Sequence, residues 1–255
     1  MIILLSLAAL VWSPSSATAA DIRYKELKLG LNELQVPPRA EEVFFLVHGI
    51  HEDGSTWEPV FPRVTSRPGA AVYFFKWNER QPVHVIQSAM GDAINLVLAR
   101  HEGAARRVVV FAHSAGGALL TKSLCYVSAT DPCRVDRALL SRTRAQVSFN
   151  TIASPLGGFG QRMAVFAAPV IGAVTSFMGQ SIRYAHSTPE ARLTVWYTRP
   201  ENDENARVKD GSDNRFPVFK DEAIAYALHE LPTSSHVGAV KDALDSILAP
   251  SPTLN

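Results

Sequence analysis

The chain has no excess of charge of either sign. Its 255 residues carry 25 Lys and Arg against 24 Asp and Glu, a formal net charge of +1. That balance removes any electrostatic argument for a nucleic-acid partner or for docking on an anionic membrane surface. Cysteine is almost missing: there are two, Cys125 and Cys133. They leave two readings, a single bridge closing a short loop or a pair of small core residues. Such a bridge would contribute roughly 2–3 kcal/mol. Long apolar runs are also lacking. "MIILLSLAALVW" at the start is too short for a good spanning helix, and "MAVFAAPVIGAVTSFMG", residues 163–179, is short and broken by Pro169 and Gly172. No internal repeat and no low-complexity linker divides the chain.

What is present suits one globular domain with a sizeable core, since 47% of the residues are hydrophobic. The first twenty residues fall outside that domain. An apolar run, then "SPSSATAA", then the polar "DIRYKE" matches a secretory signal with an A-x-A site at Ala17-Thr18-Ala19. No Lys or Arg precedes the apolar core, which departs from the usual pattern. Residues 1–20 are therefore expected to be a signal peptide and 21–255 the single domain. The mature N-terminus should lie near Ala20 or Asp21, in a secreted or periplasmic protein.

Along the rest of the chain, buried strands alternate with helices. "IRYKELKLGLNELQV" alternates enough for a hairpin or edge strands. "EEVFFLVHG", "AAVYFFKWN", "RVVVFA", "AQVSFNTIAS" and "RLTVWYT" read as strands. "STWEPVFPRVTSR" reads as a short helix capped by Ser55 or Thr56. "PVHVIQSAMGDAINLVLARH" places Val83, Ile86, Met90, Ile94, Leu96 and Val97 at helical spacing, and "VGAVKDALDSILA" closes the chain as a helix. This alternation predicts a mostly parallel sheet with helices on both faces. Ligands of such sheets sit at the carboxyl ends of the strands.

The stretch "RRVVVFAHSAGGALL" is the most informative. A strand over 108–111 is followed by a helix over about 115–128, so the chain must turn sharply on Ser114. Its neighbours Ala112, Gly116 and Gly117 are small, as a close approach of strand and helix requires. Such a turn lifts the hydroxyl above the sheet and aims a helix N-terminus at it. Ser114 is thus a candidate nucleophile on an elbow, and it needs a base within reach. His113 beside it is expected to point away and serve the structure.

The motifs "FFLVHGIHEDGSTW", "FAHSAGG", "TIASPLGG" and "SSHVGAV", in this order, resemble the α/β-hydrolase family, especially its small secreted lipases and esterases. The likeness spans about 42–248. The family pattern G-x-S-x-G stands here as A-x-S-x-G, with Ala112 in the first place. The resemblance implies that His236, between a polar loop and the last helix, is the base; His229 in "YALHELP" is its competitor and reads as a half-buried histidine. It implies an acid after "LTVWYT", where Asp203 fits best by position and Glu201 and Asp213 are alternatives. It implies an oxyanion hole from the backbone N–H groups of Ala115 and Ile50. A short apolar cap is expected after the strand ending near Ser154, within 161–187. Residues 163–179 would then either contact lipid transiently or pack as a buried helix pair. The reaction implied is cleavage of carboxylic esters, lipid or acyl, through an acyl-enzyme on Ser114. The same machinery also serves amidases and acyltransferases, and the fold can carry a non-catalytic binding protein. No cofactor is implied, and the acidic loop after "LTVWYT" lacks a calcium-loop motif.

Overall fold

The structure is a computed structural model that describes residues 22–50, 52–126, 134–154, 183–184, 191–198 and 226–249. The expected signal segment, the apolar stretch 163–179 of the expected cap, Cys133, and the acids Glu201, Asp203 and Asp213 lie outside the described residues.

Seven strands form the main sheet: β1 (Gly30–Gln35), β2 (Glu42–Val47), β3 (Ala70–Lys76), β4 (Arg107–His113), β6 (Gln146–Ile152), β8 (Ala191–Thr198) and β9 (Tyr226–Leu231). Their order is β1-β3-β2-β4-β6-β8-β9. Every pairing is parallel except β1 with β3, which is antiparallel. The N-terminal segment thus supplies one edge strand rather than a hairpin. A separate two-stranded piece joins β5 (Cys125–Tyr126) to β7 (Arg183–Tyr184).

Among the described residues, five α-helices accompany the sheet: α1 (Phe61–Thr65), α2 (Val83–Arg100), α3 (Ala115–Leu124), α4 (Arg137–Arg142) and α5 (Gly238–Leu248). Alternate residues of β2 feed two cores. Val43, Phe45 and Val47 pack with Ile86, Met90 and Ile94 of α2 and Leu119 and Leu120 of α3. Phe44 and Leu46 pack with Phe61 and Val64 of α1 and with Val240 and Leu244 of α5. Period-two alternation inside a run that is apolar on both sides is what a sheet covered on both faces demands. Each fully buried phenylalanine here contributes about 1.5–3 kcal/mol.

Several local expectations change. A helix capped by Ser55 or Thr56 would carry Pro62 past its first turn, where the ring clashes with the preceding turn. The chain instead makes turns, Trp57 N–H bonding the Gly54 carbonyl at 3.0 Å, and α1 begins only at Phe61 with Pro62 in its first turn. On α2, Val83, Ile86, Met90, Ile94 and Val97 are buried, whereas Leu96 is 59% exposed. Leu96 lies two residues after Ile94, on the far side of a 3.6-residue turn. The helix after the elbow stops at Leu124 instead of continuing to 128; the Ser123 carbonyl accepts Arg134 N–H at 3.0 Å and the chain runs on as β5. Helix α4 was not foreseen. Its signal is Asp136, whose Oδ1 accepts the N–H groups of Ala138 and Leu139 at 2.8 and 3.3 Å. Strand β9 escaped too, because "YALHEL" is poor in β-branched residues.

The chain order places the site. From β2 it passes through α1, on one face, to β3. It then returns through α2, on the other face, to β4 on the opposite side of β2. The segments leaving β2 and β4 therefore diverge to opposite faces, and the crevice of an open α/β sheet lies where they part.

Candidate active site

The elbow is tighter than the sequence suggested. Strand β4 continues through His113 and α3 begins at Ala115, so Ser114 alone makes the corner. It does so at φ 52, in the left-handed region that non-glycine residues rarely enter. Ser114 N–H bonds the Ile152 carbonyl of β6 at 2.9 Å, and the Ser114 carbonyl accepts Gly117 N–H at 3.0 Å. Sheet and helix therefore hold the corner from both sides. The small residues are needed for close approach. A Cβ on Gly116 would run into the His48 carbonyl oxygen, and one on Gly117 into the Ser154 hydroxyl.

His236 meets this corner from far along the chain. Its Nε2 lies 3.0 Å from Ser114 Oγ, across 122 residues of sequence. A neutral imidazole with its proton on Nδ1 makes that contact by accepting the hydroxyl proton. The loop carrying His236 is tied to α5. The buried Ser234 hydroxyl donates to Asp242 Oδ2 at 2.6 Å, and Ser235 Oγ accepts Gly238 N–H at 3.1 Å. Two serines immediately before an apolar helical run are the signal for this anchoring. His229 is placed elsewhere. It is exposed on β9, opposite Trp196 in the register, and its ring stacks on that indole with centroids 4.4 Å apart. It is therefore not the half-buried histidine expected. Trp196 is steadied in turn by its Nε1–H donating to Asn150 Oδ1 at 3.1 Å.

His113 does point away from the serine, but toward a specific partner. Its Nε2 lies 3.0 Å from the backbone carbonyl of His236, and the two rings are 4.7 Å apart. A carbonyl only accepts, so His113 is the donor.

The segment after β2 is fixed by His48. Trp77 N–H donates to His48 Nε2 at 2.8 Å, so Nε2 is the bare nitrogen. Nδ1 then carries the proton and donates to the Gly49 carbonyl at 2.6 Å. The His48 carbonyl accepts Trp77 Nε1–H at 2.9 Å. The ring lies nearly parallel to those of Trp77 and Phe74, at 5.0 and 5.9 Å. Burial pulls its pKa from 6.5 down to about 4, with the Lys76 charge acting in the same direction and the hydrogen bond to the Gly49 carbonyl opposing. Nothing in "VHG" announced this double role for the histidine. The residues expected to supply the oxyanion donors come directly after the His48-Gly49 pair that follows β2 and directly after Ser114. Ile50 follows Gly49, and Ala115 opens α3, where first-turn N–H groups have no acceptor within their helix. Among the described residues, no group of His, Cys, Asp and Glu could hold a metal ion.

No protein-family model matches the sequence, and no curated protein matches it. Solved structures do resemble it in shape. A lipase B of Aspergillus fumigatus superposes with a TM-score of 0.54 at 17% identity, over 79% of this chain and 49% of that one. A truncated carbohydrate esterase from gut microbiota superposes with a TM-score of 0.52 at 11% identity, over 85% of this chain and 88% of the other. The chain has the α/β-hydrolase fold: a mostly parallel sheet covered on both faces, with the serine corner at the carboxyl end of its central strand.

Proposed function

We propose that the protein is a serine hydrolase that cleaves carboxylic esters, with lipid or acyl esters as its substrates. The observation that carries this reading is the 3.0 Å contact between Ser114 Oγ and His236 Nε2, made by a serine held at φ 52. A serine on a strained corner against an imidazole is the arrangement nucleophilic acyl transfer requires. The solved structures of similar shape include a lipase and a carbohydrate esterase, which supports ester hydrolysis as the broad class.

In this reading His236 Nε2 takes the Ser114 proton as Oγ attacks the ester carbonyl. The N–H groups of Ala115 and Ile50 hold the resulting oxyanion; losing one such donor costs about 3–4 kcal/mol of transition-state stabilisation. The tetrahedral adduct collapses, the His236 imidazolium gives its proton to the departing alkoxide, and an acyl-Ser114 ester remains. Water, deprotonated by His236, then attacks that ester and releases the acid and Ser114. Asp203 is the proposed partner of His236 Nδ1, stabilising the imidazolium. Export by the N-terminal signal belongs to the same proposal, and terminal sequencing of exported protein should find Ala20 or Asp21 first.

The test is labelling with a fluorophosphonate, followed by a p-nitrophenyl ester series from short to long chains beside an amide. The parent protein should label and turn over esters, and Ser114→Ala and His236→Ala should abolish both. Folded protein that does not label, with Ser114→Ala indistinguishable from the parent, removes the reading.

A further inference from the structure

Resting on the proposed Ser114–His236 reaction, we infer that His113 is a positioning residue for the base, holding the main chain of His236 while Ser114 engages its side chain. Two neighbouring residues of β4 and its corner thus grip one histidine at two points. Ser114 Oγ meets the ring at Nε2, and His113 Nε2–H is bonded to the backbone carbonyl of the same residue, both at 3.0 Å. On the α5 side, the chain around His236 is held through Ser234–Asp242 and Ser235–Gly238. Those bonds set where the loop begins and where the helix starts. The His113 bond ties the same loop to the end of β4, beside Ser114.

The location of His113 makes it an effective reference point. It is the last residue of β4, paired with Ile152 of β6, and it is buried. Its backbone is therefore tied into the centre of the sheet, and its side chain reaches from there to the loop. Reactivity falls steeply with misplacement, since a shift of about 1 Å in a catalytic group can cost on the order of 100-fold. A donor that holds His236 should therefore affect kcat and leave KM nearly unchanged, because it touches no substrate. The ring also lies 4.7 Å from that of His236. The carbonyl bond requires only the Nε2 proton, which the neutral ring supplies.

Three variants separate the donor from the bulk. Gln at 113 can place an amide N–H where Nε2 stands. Asn is polar but too short to reach, and Phe fills the space without donating. The measurements are kcat and KM on a p-nitrophenyl ester, thermal midpoint, and hydrogen exchange of the amides over residues 233–238. We expect H113F and H113N to lose roughly 10- to 100-fold in kcat, with KM within about twofold and faster exchange over 233–238. H113Q should stay within about threefold of the parent and keep the loop protected. The inference is overturned if folded H113N or H113F retains the parent's kcat, or if H113Q falls as far as they do. It is also overturned if exchange over 233–238 is the same in all four proteins. Parent-like activity in Ser114→Ala or His236→Ala would instead remove the underlying reaction, and the exchange comparison would still decide whether His113 holds the loop.

Discussion

Acid should loosen this molecule through His48. The change is a fall in pH, and the responding group is a ring kept neutral by its burial, with Trp77 N–H donating to one nitrogen and the Gly49 carbonyl accepting from the other. Its folded pKa is about 4 against an ordinary 6.5. Above pH 6.5 the ring is neutral whether the chain is folded or not, and it contributes no pH dependence. Between 6.5 and 4 the unfolded chain binds a proton that the folded one refuses, so stability falls as pH falls. Below about 4 both forms are protonated and the effect levels off. Worked through the linkage relation, the loss is about 2 kcal/mol at pH 5 and about 3 kcal/mol at pH 4. Against a total stability of about 5–15 kcal/mol, that is a large fraction. The assay is urea unfolding at pH 7, 5 and 4, comparing the parent with H48Q, whose amide oxygen can still accept from Trp77 N–H but cannot titrate. H48Q should be less stable at pH 7, with a shallower decline toward pH 4, and the two curves should converge by the amounts given. An NMR titration of the His48 ring should find its midpoint well below 6. Parallel stability curves, or a midpoint near 6.5, would show that His48 is not the group through which acid acts.

Gly116→Ala should cost about 1–3 kcal/mol and most of the esterase activity together, because its Cβ would displace the His48 carbonyl and with it the segment leading to Ile50; denaturant midpoints and kcat measure both. Among the acids, Asp203→Asn should lower kcat by roughly 10³- to 10⁴-fold, while Glu201→Gln and Asp213→Asn stay within about tenfold; a reversal in the same ester assay reassigns the partner of His236. Polar replacements at Val165, Phe166, Val170 and Phe177 should depress long-chain turnover more than short-chain turnover if residues 163–179 cap the site, and equal losses in a folded protein would make them ordinary core.

Much of the fold was legible because burial on both faces writes itself as unbroken Val and Phe. "VVVF", "VFFLV" and "AVYFF" can hardly be anything but central strands. The long helix α2 was equally open, five of its six marked positions falling on one stripe and Leu96 missing it for a plain geometric reason. Edge and connecting pieces hid. Residues 227–230 of β9 are exposed and the strand has no β-branched residue, and the proline-bearing stretch before α1 looked more helical than proline allows. At the site, the small residues around Ser114 carried their own explanation in steric terms. The bond from His113 to His236 could not be foreseen, since it joins a side chain to a carbonyl 123 residues away and any residue type at 236 would offer that carbonyl. His48 was invisible for a similar reason: its tautomer is dictated by a backbone N–H and a backbone carbonyl, neither of which the sequence spells.

The left-handed backbone of Ser114 has one last implication. An L-residue in that conformation lies about 1–2 kcal/mol above its relaxed state, and glycine escapes the penalty. A chain with Gly at 114 should therefore melt later than the natural one while doing no chemistry. Selection for sturdiness alone would discard this serine, so screens for heat-resistant variants of the protein must read out turnover as well as survival.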